Sequence, residues 1–472
     1  MQGMNTESVK VAKWKGKAKH YRQERDAYKK RIQELVMSRD HWKDKYQQAK
    51  ASRLGLPASR VKGAKSADRI ARHAYSSEVI MLSLWLRQAR CSLNSCVEIM
   101  RLLVVYLGLE LRVPSRSSIQ HWEKKLGYWR IHQSTESPDD WVILLDESVS
   151  VGQQKLLVVL GVNLSHYVFG QALCLGQLHV LSVRVASSWK GAAIQQELLA
   201  LQARGYQIAY AVSDGGPNLV KAFDLCQIER IADCSHALGK LLEKQYKHDT
   251  EFISFTKACS RFKRQSLLGE ACLVMPPMQR AKGRFLNLQP LCQWGCQLLS
   301  VLEETPERLP ATIADKLTWL ITYRTMLFEM QAQCQTMNAL FSLLKNQGLS
   351  PSVVQQCERV LEQSKVNDFF AQGVREYLQT NLKKVPAKGC RLCCSDSIES
   401  LFGKYKNQLH KTPGQVITQA CLTIANLTIK PQVEEVRQAL QETRMIDLDE
   451  WKKKNLPESL IQKRRKLFKS AG

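Results

Sequence analysis

The sequence predicts an α/β protein in which a mixed five-stranded sheet with flanking helices is interrupted by a large all-α insertion and preceded by a small all-α domain. Three observations support this prediction. Apolar, β-branched runs of strand length recur between residues 139 and 238, helical spacing replaces them from 239 to 388, and three short helical patterns precede the first strand. A chain of 472 residues is also too long for one compact core.

The net charge is extreme for a soluble protein. It is +26 at pH 7, with a pI near 9.5, which points to a polyanionic partner, either nucleic acid or an anionic membrane surface. The most apolar stretches, 97–111 and 156–185, are interrupted by charged and amide side chains, so neither predicts a membrane span. Residues 1–50 lack the apolar core of a signal peptide. We therefore expect a cytoplasmic protein that binds nucleic acid and no membrane.

Residues 1–50 are predicted to form a basic, coiled-coil-like helix. Aromatic and aliphatic residues recur there at alternating spacings of four and three, which is a heptad seam, although Arg25 and Arg39 interrupt it. The seam predicts a coiled coil that forms a dimer, and a solvated basic helix laid against another domain fits the pattern equally well. Residues 51–75 follow as a basic linker that contains glycine and proline.

A helix-turn-helix domain is predicted for residues 76–130. Its first two helices span Ser77–Arg90 and Leu93–Leu107, and its third begins after Pro114 with Ser115 as the N-cap. Three helices in so short a segment are typical of a small DNA-binding unit.

The third of these helices carries a polar row of the kind that reads DNA in the major groove. The row alternates with apolar residues and consists of Arg116, Ser117, Gln120, His121 and Lys124. A small helical bundle with a solvated face would show the same pattern, but the positive charge of the chain favours DNA.

Residues 139–238 are predicted to form the first part of the α/β core. Their order is three strands, a helix, a strand, a second helix and a short fifth strand, which describes a mixed sheet with helices on its faces. The predicted strands are Trp141–Leu145, Lys155–Leu164, His179–Ala186, Tyr206–Val212 and Ile228–Ala232, and the helices are Ala192–Ala203 and Leu219–Leu225.

The remainder of the chain is predicted to be helical. Residues 239–388 form the all-α insertion, which has the size of an ordinary domain. Residues 389–445 return to the core with an amphipathic helix at Ser395–Leu409 and further helices, and residues 446–472 form a basic tail.

The fifteen cysteines are scattered along the chain, so we expect reduced thiols rather than a disulfide framework. Cys390, Cys393 and Cys394 form one tight cluster with CxxC spacing. No second pair of ligands follows at zinc-finger spacing, and the sequence leaves open whether this cluster binds a metal.

Two aspartates follow apolar strands: Asp146 after the first and Asp214 after the fourth. A carboxylate is costly to bury without a partner, so each is expected at the mouth of the sheet or on a cation. Ligands of open α/β sheets gather at such strand ends. Asp214 precedes Gly-Gly-Pro and also suits a simple turn. Glu147 is an alternative to Asp146, because only one of two successive strand residues faces a given side.

This order of elements, with its two aspartates, resembles the RNase H-like fold of DDE transposases and retroviral integrases. In that family the first and fourth strands are neighbours, and each supplies an Asp to a pair of Mg²⁺ ions; Asp146 and Asp214 match those positions. The family's third carboxylate is a helical Glu, commonly followed seven residues later by Lys or Arg, and Glu399 with Lys406 has that spacing. Asp396, one helical turn earlier, is the alternative to Glu399.

The long separation of Asp214 from Glu399 resembles transposases, including the hAT superfamily, in which a helical insertion precedes the Glu helix. The motif Asp233-Cys-Ser-His236 looks like the Cys/His or Asp/His motif that these enzymes carry after the fifth strand, with C-x-H in place of the hAT pattern C-x-x-H. His236 is either an active-site support or a core histidine with satisfied hydrogen bonds.

The helix-turn-helix domain and the basic N-terminal helix extend the resemblance to a transposase of a bacterial insertion sequence. The resemblance implies binding of terminal inverted repeats, followed by DNA cleavage and strand transfer with Asp146, Asp214 and Glu399 as catalytic and metal-binding residues. It implies two Mg²⁺ ions, replaceable by Mn²⁺, and double-stranded DNA at the element ends and the target, with Lys406 on a phosphate. It also implies a homodimer or higher oligomer and a nucleoid-associated place in the bacterial cytoplasm.

Two other functions fit the same residues. An RNase H-like nuclease or resolvase would share the carboxylates and cut DNA without strand transfer. A non-catalytic DNA-binding regulator derived from a transposase would keep the fold and the charge, although a complete set of carboxylates argues against it.

Overall fold

The structure is a computed structural model, and it describes most of the chain from residue 70 onward. The described ranges are 70, 73–109, 111–134, 140–151, 154–267, 269–279, 284–408 and 417–458, with isolated positions at 25, 26, 33, 34, 37, 463, 464, 467 and 468; only the backbone is described at 146–151, 284 and 408. The chain divides into two compact units, 1–65 and 66–472. The predicted N-terminal helix, most of the linker and the end of the tail therefore lie largely outside the described residues.

The second unit combines one sheet with many helices. Its strands are β1 Asp140–Val151, β2 Gln154–Asn163, β3 His179–Ala186, β4 Gln207–Ser213 and β5 Arg230–Ala232. Its α-helices are α1 Ser77–Gln88, α2 Leu93–Leu107, α3 Arg116–His132, α4 Gly191–Ala203, α5 Pro217–Cys226, α6 Cys234–Tyr246, α7 Thr250–Ser266, α8 Gln289–Glu304, α9 Ala311–Leu317, α10 Arg324–Gln347, α11 Pro351–Gln363, α12 Asp368–Leu382, α13 Asp396–Gln408, α14 Val433–Glu442 and α15 Met445–Asn455.

The mixed five-stranded sheet is confirmed, and its strand order is β3-β2-β1-β4-β5. The first three strands pair antiparallel, while β4 lies parallel to β1 and β5 parallel to β4. The parallel pairs place Leu144 opposite Val212 and Ser213 opposite Ala232. Leu144 of β1 and the carboxyl ends of β4 and β5 therefore share one region of the sheet.

One strand is longer than the sequence predicts. The expectation that Asp146 ends the first strand is wrong, because β1 continues to Val151 and pairs there with Gln154 of β2. The register shifts between Asp146 and Val149, which is the signature of a β-bulge. The bulge bends β1 where the candidate aspartate lies.

The two faces of the sheet are covered differently. Successive residues of a strand face opposite sides, so Ile143 packs with α4 and α5 while Val142 and Leu144 pack on the other face. That second face shares one continuous hydrophobic core with the helices from α6 to α13. The helical residues between β5 and α13 thus share one core with the sheet, and α13 contacts β1.

Helices α1 to α3 form a small cluster whose third member is closely packed. Ser115 caps α3 as predicted, since its hydroxyl accepts the backbone N–H of Ser118 at 3.1 Å. At Gly127 an added Cβ would lie 2.1 Å from the carbonyl oxygen of Leu422, so α3 approaches the 3₁₀ segment Gln419–Leu427 at backbone distance. Only glycine permits this contact.

Within the described ranges, no helix combines the length and the apolar character that crossing a bilayer requires.

Candidate active site at the carboxyl ends of β1, β4 and β5

The two predicted aspartates occupy equivalent backbone positions on neighbouring strands. Asp146 and Asp214 each lie two residues beyond the paired residues Leu144 and Val212. By strand alternation, position 146 continues the face of Leu144, which the helical core covers, and Asp214 directly follows Ser213, the last residue of β4.

Asp214 begins the turn between β4 and α5. Its side chain is half-buried, and its Oδ1 accepts the backbone N–H of Gly216 at 3.0 Å, which is the Asx-turn expected of Asp before Gly-Gly. This hydrogen bond orients the carboxylate at the end of β4, and Pro217 then opens α5. The turn and an exposed functional carboxylate are therefore compatible at this position.

A third aspartate, Asp233, is the organising residue of the site, and the sequence analysis gave it no role beyond its motif. Its side chain is fully buried. One oxygen accepts the backbone N–H and the ring Nδ1 of His236, both at 2.8 Å, and the other accepts the backbone N–H of Ser395 at 2.6 Å. One carboxylate thus caps α6, orients a histidine and holds the residue that precedes α13. The signal in the sequence was an Asp three residues before His236, at the N-cap of a helix that follows directly on a strand.

Two further bonds attach the segment before α13 to the sheet. The hydroxyl of Tyr210, on β4, accepts the backbone N–H of Leu392 at 2.7 Å, and the carbonyl of Cys393 accepts the backbone N–H of Cys234 at 2.8 Å. Helix α13 then packs against β1. The helical part of the chain between β5 and α13 therefore returns to the sheet at a fixed position, with α13 beside the strand that carries Asp146.

Glu399 lies on the first turns of α13 and meets His236. Its Oε1 is 3.8 Å from Nε2 of His236, and the Glu399 side chain is 60% exposed. The pKa of His236 is raised to about 9, first by the hydrogen bond to Asp233, against the lowering effect of burial, and further by the negative charges of Asp233, Asp214 and Glu399. Both Asp214 and Glu399 are thus close enough to act on one imidazole.

The alternative third carboxylate, Asp396, is already engaged. Its Oδ1 accepts the hydroxyl of Ser235 at 2.7 Å, and its Oδ2 accepts Nζ of Lys345 at 2.9 Å. Burial raises the pKa of Asp396, but the hydrogen bonds from Ser235 and Lys345 outweigh that effect and lower the pKa overall. Glu399 is the more exposed of the two, and Lys406 is likewise exposed on α13.

The predicted cysteine cluster does not converge on one point. The thiol of Cys390 donates to the carbonyl of Gln347, and that of Cys393 donates to the carbonyl of Leu344. Cys394 instead lies near Cys234 and Asp233, with the three ligand atoms within 4.8 Å of one another. Hydrogen bonding between the two thiols and burial raise the pKa of Cys394 strongly, so it is a neutral thiol at physiological pH.

The structure brings some of the predicted site residues together and leaves others elsewhere. Glu399 lies beside His236, with 3.8 Å between Oε1 and Nε2, and the negative charge of Asp214 acts on the same imidazole. The DNA-reading candidates Arg116, Ser117, Gln120, His121 and Lys124 lie on α3, where Arg116, Ser117 and His121 are exposed and Gln120 and Lys124 are half-buried. Burial lowers the pKa of Lys124, with a smaller contribution from the charge of Lys452.

The donor types at the sheet edge suit a hard divalent cation. Mg²⁺ takes oxygen ligands and keeps several of its waters, so a half-buried aspartate and an exposed glutamate are suitable donors. Asp233 is not such a donor, because both of its oxygens already accept hydrogen bonds. The fit of the site to Mg²⁺ therefore depends on Asp214 and Glu399, with position 146 beside them on β1.

Comparison with known proteins gives structural likenesses and no sequence match. No protein family model matches the chain, and no curated protein sequence matches it. Among solved structures, the chain is similar to one in the Drosophila P element transposase strand transfer complex, with a TM-score of 0.40 and 12% sequence identity over 83% of this chain and 100% of that chain. Identity this low does not say which residues act, so function is inferred from the side chains at the sheet edge.

Proposed function

We propose that this protein is a DDE transposase that cuts DNA and joins it through the carboxylates of Asp146, Asp214 and Glu399. The observation that carries the proposal is that the negative charges of Asp214 and Glu399 both act on His236, whose Nε2 is 3.8 Å from Oε1 of Glu399. These two residues are separated by the whole helical part of the chain, and packing alone does not require carboxylates at this place.

The sheet supports an RNase H-like core. Its order is β3-β2-β1-β4-β5, with three antiparallel strands followed by two parallel ones, and β1 neighbours β4 as the resemblance implies. Asp146 and Asp214 occupy matching positions on those neighbours. Helix α13 packs against β1, so Glu399 approaches the same edge from the helical side.

Each residue has a definite task in this proposal. Two Mg²⁺ ions bound to the three carboxylates would stabilise the attacking and leaving oxygens of an in-line displacement at phosphorus. Asp233 holds His236 and α13 in place, His236 directs Nε2 toward the space beside Glu399, and Lys406 pairs with a DNA phosphate. Water is the first nucleophile, and the 3′ hydroxyl that it exposes is the second, so no covalent bond to the protein is needed.

The experiment that tests the proposal uses a DNA molecule carrying the chain's own gene with its flanks. With Mg²⁺ and the full-length protein, we expect breaks at two inverted repeats and joined products in which the freed 3′ ends are attached to new sites. Breaks without joined products would support the nuclease alternative instead. Binding without breaks would support the regulator.

Asp233 offers a test of how the site is assembled. We expect Asp233→Ala to lower the free energy of unfolding by about 3 kcal/mol, since it leaves buried N–H groups of His236 and Ser395 without an acceptor. DNA cleavage should fall by about 100-fold, because α13 loses its anchor. Chemical denaturation and single-turnover cleavage measure the two effects.

Asp249→Ala is the matched control for that variant. Asp249 caps α7 through the backbone N–H of Phe252 and, like Asp233, is an aspartate N-cap, so its loss should cost about 1 kcal/mol. Cleavage by this variant should stay near the wild-type rate. Equal effects of the two substitutions on cleavage would leave Asp233 as an ordinary helix cap.

Helix α3 is proposed to bind the element ends through its exposed first turns. Arg116→Ala should weaken binding of all DNA sequences and lower the salt slope by about 1, as expected for a phosphate contact. Gln120→Ala should cost about 1–3 kcal/mol on the inverted repeat and little on other DNA, as expected for a base contact. Titration of labelled repeat and scrambled duplexes gives both quantities, and unchanged binding by both variants would remove α3 from recognition.

A further inference from the structure

A second charged region lies in the helical part of the chain, on helix α7. A groove of about 730 Å³ runs between α7 and residues 276–279, and four basic side chains line it: Lys257, Arg261, Lys263 and Arg264. None of the carboxylates proposed for catalysis contributes to it. The groove is thus a separate surface feature that the proposed catalysis leaves without a role.

The local charge is strongly one-sided. Residues 257–284 contain seven Lys and Arg residues and a single acidic one, Glu270. Among the described residues, the four groove cations form no ion pair, whereas Arg87, Arg130, Arg375 and Arg391 elsewhere in the fold are each paired with a glutamate. Like charges four residues apart on a helix repel each other. A polyanion bound in the groove would remove that repulsion.

The helix presents these cations as a rigid row. Lys257, Arg261 and Arg264 follow at spacings of four and three residues, so they share one face of α7, and all three are exposed. The opposite face is fixed in the core by Phe252, Phe255 and Phe262. The row extends about 10 Å along the helix axis. That length corresponds to about three axial rises of 3.4 Å between successive phosphates of one DNA strand, so each of the three cations can reach a phosphate.

The lining favours backbone contact over base reading. Two guanidinium groups supply planar donor forks that suit phosphate oxygens, and the remaining wall is formed by Pro276, Pro277 and Met278. The described lining contains no aromatic side chain on which a base could stack, and its one amide side chain, Gln279, stands against four cations. The chemistry of the lining therefore favours phosphodiester groups over base edges.

We propose that the α7 groove, formed by α7 and residues 276–279, binds the phosphate backbone of duplex DNA and so provides a second, sequence-independent DNA contact outside the carboxylate site. The inference rests on the proposed function in one respect, since it takes DNA as the polyanion that this chain handles. It extends the DNA path from α3 and the sheet edge to the helical part of the chain.

The test compares two triple variants of the full-length protein. The groove variant removes the exposed cations of the groove by combining Lys257→Ala, Arg261→Ala and Arg264→Ala. The scattered variant removes the same charge from exposed positions that form no row, by combining Arg308→Ala, Lys316→Ala and Arg359→Ala. Binding of a labelled duplex of arbitrary sequence is measured by fluorescence anisotropy over a range of salt concentrations, and thermal melting checks that both variants stay folded.

We expect the groove variant to bind at least about tenfold more weakly and to lose about 2.7 from the slope of log K against log salt, or about 0.9 for each of three phosphates. The scattered variant should stay close to wild type. Equal changes in the two variants would show a general charge effect, and a groove variant indistinguishable from wild type would remove DNA from the groove. Either result overturns the inference.

Two further results separate this inference from neighbouring ones. Inorganic triphosphate titrated into the wild-type protein is expected to give no saturable heat; saturable binding that the groove variant loses would assign the groove to a free polyphosphate and overturn a DNA role. A wild-type protein that binds no duplex at all would defeat the proposed function together with this inference. If the wild-type protein cleaves DNA and the groove variant binds the duplex as well as the wild type does, only the inference about the α7 groove fails.

Discussion

Glu399→Gln is expected to lower Mg²⁺-dependent DNA cleavage by about 10³-fold or more, which corresponds to at least about 4 kcal/mol of transition-state stabilisation. The reason is that Gln keeps the shape of Glu and removes the negative charge that would hold a cation beside Asp214. Because the Glu399 side chain is 60% exposed, the fold should be retained. Single-turnover cleavage of DNA with the gene's flanks measures the rate, and thermal melting measures the fold.

Two carboxylate variants serve as controls for that result. Asp224→Asn changes an exposed carboxylate on α5, which covers the opposite face of the sheet, and should leave cleavage unchanged. Asp396→Asn disturbs the ion pair with Lys345 and should have a smaller effect than Glu399→Gln. Near wild-type cleavage by Glu399→Gln, with a large loss in Asp396→Asn, would transfer the role of third carboxylate to Asp396.

Arg130→Ala is expected to destabilise the fold by about 3–5 kcal/mol. The Arg130 guanidinium forms a two-point ion pair with Glu435, with both distances 2.7 Å, and donates to the carbonyls of Ala425 and Ile429. Its side chain is only 9% exposed, so truncation leaves a partly buried glutamate and two carbonyls unpaired. The free energy of unfolding from urea titration measures the loss.

Arg375→Ala provides the comparison for the Arg130 variant. Arg375 pairs with Glu358 at 3.0 Å, but both side chains are about one-third exposed, so the loss should be at most about 1 kcal/mol. In a double-mutant cycle, Arg130 and Glu435 should show a coupling energy, because the two groups share one buried contact. Additive effects of the two single substitutions would mean that α3 and α14 are held together by packing alone.

The local elements were accessible from the sequence because the apolar pattern and the packing agree. Strand β3 and helix α2 have the predicted bounds, and the Ser115 cap is present. In each case one short segment contains the whole signal: alternation for the strand, helical spacing for the helix and a hydroxyl at the start of α3. The largest departure among the strands is β1, whose extension beyond Asp146 depends on pairing with β2 across a bulge.

The long-range features were not accessible from local pattern. Nothing in the residues around Asp233 shows that its second oxygen accepts the N–H of Ser395, which is remote in sequence. The ion pair between Lys345 and Asp396 could not be predicted from the sequence either, because it depends on how α10 and α13 pack. The joint role of Asp214 and Glu399 was predicted from a resemblance and stays a prediction; the structure places Glu399 3.8 Å from His236, and the charge of Asp214 acts on the same imidazole.

Helix α3 was predicted correctly as a helix, but its polar row gave an incomplete picture of what the helix contacts. Its polar row suggested a free recognition helix, whereas Gly127 contacts Leu422 and Arg130 binds Glu435. The polar row was visible in the sequence. The partners of the C-terminal half of α3 were not, because they lie in the last part of the chain. Only the first turns of α3, with Arg116 and His121, remain exposed for DNA.

The most direct test of the central claim is the cleavage rate of Asp214→Asn, Glu399→Gln and the double variant. It is measured with Mn²⁺, which tolerates imperfect ligand sets, so that the single variants keep detectable activity. If the carboxylates act as one unit, the double variant should cleave about as slowly as the slower single variant, because either substitution already disables the unit. Multiplication of the two single effects in the double variant would show that Asp214 and Glu399 act independently, and it would contradict a shared metal site.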